Sequence, residues 1–313
     1  MKKDFNRHVG LLARGMAMGA ADVVPGVSGG TIAFITGIYT ELIDSLQSCD
    51  HRALRCLFKY GLPTAWQYIN GNFLLAVLSG ILLSAFSLAS LITWLLAQYP
   101  ILVWSLFFGL ILASCVHLLR QVPEWNPRRM LILILGVGVA LVVSVIKPTQ
   151  LPDSWWVLTL AGMVAICAMI LPGISGGFLL LLMGLYSTIV GAISTLEFGV
   201  LLPFAMGCLL GLLLFSHVLS WLLHHFQAAT MAFLTGILVG SLKVIWPWKH
   251  TLEGVIDRHG EWIPLVQENV SPFLYSKITG NPPQTAAAIT LCLTGLFIVL
   301  LLEWVASTSP EES

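Results

Sequence analysis

Two short stretches hold the groups best able to do chemistry: "ADVVPGVSGGT" at residues 21–31 and "AMILPGISGGF" at residues 168–178. Each sets a proline, three glycines and a serine in the middle of apolar sequence. Pro25 and Pro172 lack an N–H and disfavour helix in the residue before them, so each ends a helical arm. The glycines allow positive φ and close approach of another group to the backbone. Ser28 and Ser175 are placed to cap the arms that follow, where free N–H groups and the positive end of the helix dipole favour an anion. The candidate phosphate-binding set is therefore Pro25, Gly26, Ser28, Gly29, Gly30 and Thr31 in the first stretch. Pro172, Gly173, Ser175, Gly176 and Gly177 form it in the second. The competing reading is close glycine-mediated helix packing, which needs neither the proline nor the serine.

Asp22 stands three residues before Pro25 in otherwise apolar surroundings. A carboxylate at membrane depth is costly and faces a cavity or a partner, which makes Asp22 the candidate ion-coupling residue. Its plainer role is to bond backbone N–H groups at the tip. Arg14 lies about two helical turns earlier on the same face, as a counter-charge for phosphate or an interfacial cation that snorkels. Glu41 is a weaker candidate, equally readable as an interfacial charge. No catalytic residue set and no metal site emerges. The six cysteines are scattered without a CxxC, and His117 and His217, one in each half of the chain, earn no assigned role.

The elements that must position these groups are membrane elements. Hydrophobic residues make up 57% of the 313 and charged residues 10%, against roughly 25% charged in soluble domains. The formal net charge is zero, which gives no reason to expect nucleic acid. The basic N-terminal segment lacks the apolar core and small-residue cleavage site of a secretory signal, so it reads as retained. Six apolar runs approach the length of a membrane crossing: 72–97, 101–119, 130–147, 200–223, 228–246 and 286–305. The regions 9–45 and 155–195 are each split by the PGxSGG motif into two arms, marginal for full crossings, and read as hairpins that dip in and return.

With the N-terminus in the cytoplasm, Lys2, Lys3, Arg7, Arg14, Arg52, Arg55, Lys59, Arg120, Arg128 and Arg129 fall inside. Lys147, Lys243, Lys249, Arg258 and Lys277 fall outside, three of them in the 247–284 loop, and both termini are then cytoplasmic. Hairpin depth does not alter these sides, since two extra crossings cancel.

The two stretches belong to a longer repeat. At an offset of 147, Met16, Ala21, Pro25, Gly26, Ser28, Gly29, Gly30, Gly37 and Tyr39 are matched by identical residues, and at an offset of 127 Gly80 meets Gly207 and Gly109 meets Gly236. The expected fold is an all-α polytopic membrane protein of two inverted-topology repeats, 1–150 and 151–313. Each holds a PGxSGG helical hairpin and three transmembrane helices, with the tips meeting from opposite faces. Inverted repeats with broken helices and a midplane site are the architecture of many secondary transporters.

"MGAADVVPGVSGGTIAFITGIY" and "LPGISGGFLLLLMGLY" resemble the paired signatures of the bacterial polyprenyl-phosphate transporter family, and motif order, spacing and length agree over nearly the whole chain. The resemblance implies a translocase of the cytoplasmic membrane. It would return undecaprenyl phosphate from the outer to the inner leaflet for reuse in peptidoglycan and other envelope synthesis. It implies no cofactor and names no coupling residue. Its partners would be the polyprenyl phosphate lipid, the surrounding membrane lipids, and H⁺ or Na⁺ as coupling ion. Two other functions compete: a secondary transporter of a small soluble anion, which shares the site chemistry, and a polyprenyl-lipid phosphatase or transferase. The last lacks the clustered acid–base and carboxylate groups such chemistry requires.

Overall fold

The computed structural model describes residues 2–24, 27–122, 124–146, 149–256 and 262–308. In chain order the helices are α1 (Lys2–Asp22), α2 (Gly29–Ile35), α3 (Tyr39–Gln47), α4 (His51–Tyr60), α5 (Leu62–Tyr68), α6 (Gly71–Ser87), α7 (Ala89–Gln98), α8 (Pro100–Gln121) and α9 (Pro127–Val145). They continue with α10 (Trp155–Ile170), α11 (Gly176–Leu182), α12 (Tyr186–Thr195), α13 (Phe198–His225) and α14 (Gln227–Ser241). Two strands, β1 (Lys249–Ile256) and β2 (Trp262–Asn269), then precede α15 (Pro272–Thr279) and α16 (Thr285–Thr308).

The chain is mostly helical, but the all-α expectation needs correction. β1 and β2 pair antiparallel in the 247–284 loop, from Lys249 opposite Asn269 to Ile256 opposite Trp262, with an irregularity around Thr251 and Glu253. Two further expectations of continuous spans also change. The 72–97 run is divided at Leu88 into α6 and α7, and the 228–246 run stops as helix at Ser241. Among the described residues three helices, over Pro100–Arg120, Pro127–Val145 and Phe198–His225, are long and apolar enough to cross a membrane. The count reaches five if the bent pairs α5–α6 (72°) and α11–α12 (116°) each act as one span.

The polarity is that of a protein solvated by lipid. Leu131, Leu135 and Val142 of α9 and Leu202, Leu209 and Leu214 of α13 are exposed, whereas Ser84, Ser105, Ser114, Ser216, Thr235 and Ser241 are buried. Apart from Ser84, whose Oγ has no hydrogen-bond partner among the described residues, these hydroxyls bond within their own helices, as in Ser105 to the Ile101 carbonyl at 2.7 Å and Thr235 to the Met231 carbonyl at 2.7 Å. Where no water is available, helix carbonyls are the partners such groups can reach.

Two compact units form, one from Met1–Thr93 with Pro148–Thr230, the other from Trp94–Lys147 with Met231–Ser313, so each draws on both sides of residue 150. Within the first, α1 packs on α6 and α10 on α13. A side chain at Gly15 would strike the backbone of Val77, and one at Gly80 that of Leu12. Likewise Gly162 lies against the Phe204 backbone and Gly207 against that of Thr159. These are backbone-to-backbone helix crossings of the small-residue type. Within the second unit, α8 packs on α16, with Gly109 against Cys292 and Gly295 against Leu106, and Gly136 lies against Phe233 as Gly236 lies against Leu133. There, Lys249 Nζ stands 3.8 Å from the centre of the Trp104 ring. Burial pushes this ammonium down to about 7, and the ring face opposes that by favouring the cation.

Candidate functional site

Both PGxSGG segments lie in the first unit, and their side chains and backbones meet. Pro25 and Gly26 fall outside the described residues. Ser28, extended at φ −124° and ψ 141°, starts α2 as its N-cap. Ser175 does the same for α11 at φ −97° and ψ 128°. Ahead of it, Gly173 has φ +85°, a left-handed conformation open to glycine at little cost.

The first tip clamps the second. Ser28 Oγ donates to the Met169 carbonyl at 2.7 Å, Tyr39 Oη donates to the Ile170 carbonyl at 3.1 Å, and Thr31 Oγ1 accepts from the Gly173 N–H at 2.8 Å. Ser28, Thr31 and Tyr39 are buried. They take up backbone groups that the break after α10 would otherwise leave without partners. Gly30 is what allows this approach, since a Cβ there would stand 2.6 Å from the Ile170 oxygen and 2.8 Å from that of Met169.

The helix-start amides differ between the tips. At α2, Gly29 N–H donates to Asp22 Oδ1 at 2.6 Å, Gly30 N–H to Ser28 Oγ at 3.1 Å, and Thr31 N–H to the Ser28 carbonyl at 2.8 Å. Asp22 thus sits where an anion would sit. At α11 the residue aligned with Asp22 is Met169, and Ser175 Oγ accepts from the more distant Phe178 N–H at 3.4 Å. Among the described residues, no side chain takes the N–H groups of Gly176 or Gly177. Ser175 and Gly177 are half-buried while Pro172, Gly173 and Gly176 are buried.

A second break follows each tip. The α2 helix ends with Gly37 at φ +74° and the Ile38 N–H reaching back to the Ala33 carbonyl at 3.0 Å. The α11 helix ends with Gly184 at φ +71° and the Leu185 N–H bonded to the Leu180 carbonyl at 2.9 Å. Both are Schellman ends, which satisfy orphan carbonyls through a left-handed glycine. They turn the chain into α3 and α12, so each hairpin consists of three helical pieces. The matched glycines at 37 and 184 were visible in the sequence, but the role of Tyr39 was not.

Arg14 is exposed on α1, and among the described residues no ion pair joins it to Asp22. Glu41 accepts from Arg7 Nη2 and from Asn70 Nδ2, both at 2.9 Å, which ties α1 to the end of the α5–α6 connection. A polar girdle joins α13 to the α3–α4 region. Ser220 Oγ donates to Asp44 Oδ1 at 2.6 Å, His224 Nε2 is 3.7 Å from Asp44 Oδ2, and His217 Nε2 is 4.0 Å from Asp50 Oδ2. Among the described residues no group of three or more His, Cys, Asp and Glu is arranged to hold a metal ion.

Comparison with known proteins adds independent findings. Residues 18–263 match the VCA0040-like family, described as undecaprenyl phosphate translocase-like. The chain is 48% identical over 290 residues to a polyprenyl-phosphate transporter of Vibrio cholerae serotype O1, covering 93% of this chain and 94% of that protein. It is 33% identical over 257 residues to a polyprenyl-phosphate transporter of Staphylococcus aureus, covering 75% of this chain and 85% of that one. No solved structure matches.

Proposed function

The chain belongs to the undecaprenyl phosphate translocase-like family, and from that premise we propose how its paired tips move a lipid phosphate. It is a multi-pass membrane protein and a polyprenyl-phosphate transporter, as its named relatives are, and not an enzyme. The direction is inward: undecaprenyl phosphate passes from the outer to the inner leaflet of the bacterial cytoplasmic membrane, with both termini in the cytoplasm, and rejoins envelope synthesis.

The headgroup docks at the second tip. Its phosphate oxygens accept from the free amides of Gly176 and Gly177 and from Ser175, and Arg14 supplies counter-charge. The polyprenyl tail stays in the bilayer. The observation that carries this assignment is the asymmetry of the tips, because Asp22 already fills the anion position of the first and nothing equivalent fills the second among the described residues. Binding by the second tip and coupling by the first follow from that division. When Asp22 takes up H⁺ or binds Na⁺, its bond from Gly29 loses its charge assistance and weakens, loosening the tip that clamps residues 169–173.

The duplicated, inverted architecture is part of the proposal, and the helix crossings support it. Gly15 against Val77 and Gly80 against Leu12 become, at the two offsets, Gly162 against Phe204 and Gly207 against Thr159. Gly109 of α8 and Gly236 of α14 are similarly matched, and so, at the same offset of 127, are Leu106 and Phe233, which meet Gly295 and Gly136. Gly30 and Gly177 occupy matched positions in tips that serve different ends.

Purified protein in liposomes, assayed for polyprenyl phosphate accessible at the outer surface, tests the function. Protein-dependent movement of polyprenyl phosphate that excess inorganic phosphate leaves unchanged is the expected result. Transport of free phosphate without lipid movement would instead make the protein a soluble-anion carrier, and release of phosphate from the lipid would make it a phosphatase.

A further inference from the structure

The sequence of α4, HRALRCLFKY, has a charge pattern that its packing leaves unexplained. At 100° per residue, Arg52, Arg55 and Lys59 share one face, and Leu54, Leu57 and Phe58 lie on the other. The helix contains no acidic residue and none of its residues is buried; Phe58 is 86% exposed and Leu54 59%. Asp50, beside it, is engaged as its N-cap, Oδ1 accepting from the N–H groups of Arg52 and Ala53, while Oδ2 stands 3.9 Å from Arg52 Nε and 4.0 Å from His217 Nε2. The neighbour of α4 is α5, which itself exposes Leu62 and, in part, Trp66. The α5 helix is bent 72° from α6, so with α6 along the membrane normal α5 runs close to the membrane plane.

We propose that α4, carried by α5, lies in the membrane–water interface and binds the anionic lipid headgroups of the leaflet on its side. The three basic side chains meet the phosphates while Leu54, Leu57 and Phe58 enter the acyl region, the arrangement of an interfacial amphipathic helix. Trp66 takes a headgroup-level position and donates through Nε1 to Asn72 Oδ1 at 2.9 Å. Charge decides the occupant. A basic face that carries no acid of its own matches an anionic lipid surface, and the segment leads directly into the apolar helix α6. On the proposed sidedness this is the cytoplasmic leaflet. The proposal rests on the membrane reading of the chain and is independent of what the protein transports.

Hydrogen exchange of full-length protein in nanodiscs, read on peptides covering 51–60, tests it. Replacing a zwitterionic lipid by a mixture rich in phosphatidylglycerol should slow exchange of α4 by up to roughly a hundredfold, the combined effect of three basic residues near an anionic surface. R52E/R55E/K59E should abolish that difference while peptides from α1 and α13 keep wild-type exchange. If the triple variant disturbs those peptides, raising the salt on wild-type protein should erase the same difference by screening. Equal α4 exchange in both lipid compositions overturns the proposal. Protection that follows the number of protein copies per disc, not lipid charge, also overturns it and makes the helix a self-association surface. Neither outcome touches the transport assay, so the two readings fail separately.

Discussion

Replacing Gly30 with valine is expected to abolish most polyprenyl-phosphate transport while leaving the protein inserted and folded. The reason is steric and local. The Cβ would stand 2.6 Å from the Ile170 carbonyl oxygen and 2.8 Å from that of Met169, so the obstacle is backbone of the opposite tip and not a side chain that could rotate away. Overpacking of this kind costs about 1–3 kcal/mol, which, imposed on the tip-to-tip contact, corresponds to a loss of up to roughly 100-fold. The bonds from Ser28 to Met169 and from Tyr39 to Ile170 would lengthen together, since all of them span the same gap. Gly138→Val is the matched control, because nothing lies within 4 Å of a side chain there. Reconstituted transport at equal protein density measures the difference. Wild-type activity in Gly30→Val would mean that the tips need not stay in contact.

Asp22→Asn is expected to uncouple transport without breaking the tip. An asparagine Oδ1 can still accept the 2.6 Å bond from Gly29, whereas Asp22→Ala cannot. Inward movement of an anion against an inside-negative potential costs about 2.3 kcal/mol per charge per 100 mV, which a co-transported cation offsets. In liposomes holding such a potential, the inward accumulation driven by a pH or Na⁺ gradient should therefore fall by roughly 50-fold per uncompensated charge in Asp22→Asn. Asp22→Ala should lose stability as well, by about 0.5–2 kcal/mol for a missing N-terminal cap, read as a lower Tm. If Asp22 were only a cap, the asparagine variant would keep full gradient dependence and the alanine variant alone would be impaired. The pair of variants thus separates holding the tip from moving the ion.

Much of this site was legible in the residues themselves. Pro172 and the glycines mark the second break, the serines mark the two helix starts, and both caps form as their side-chain chemistry dictates. Asp22 was legible both as an isolated carboxylate and as a group able to bond tip amides, and the bond to Gly29 is the one it makes. The unequal use of the tips was only half visible. The alignment pairs Asp22 with Met169 and Thr31 with Phe178, but nothing in the sequence says that Ser28, Thr31 and Tyr39 turn toward residues 169–173. Those contacts join residues more than a hundred positions apart, and a local pattern does not encode them. The same holds for Asp44 with Ser220 and His224, which are likewise far apart in the chain.

The β-hairpin escaped for a different reason. "KHTLEGVI" and "WIPLVQEN" alternate weakly, one holds a glycine and the other a proline, and a two-stranded ribbon between long helices has little pattern to announce it. The breaks in the apolar runs were hidden similarly. Leu88 ends α6 with no proline or glycine to signal it, because apolarity reports residence in lipid and leaves helix continuity open.

We propose that the lipid phosphate sits on the amides of the second tip. Photolysis of reconstituted protein with a polyprenyl phosphate bearing a diazirine on the isoprene unit next to the phosphate tests it most directly, with the adducts mapped by peptide. Adducts concentrated at 172–178, competed by unlabelled polyprenyl phosphate and not by inorganic phosphate, are the result expected. Adducts confined to the lipid-facing surfaces of α9 and α13, indifferent to the competitor, would contradict it.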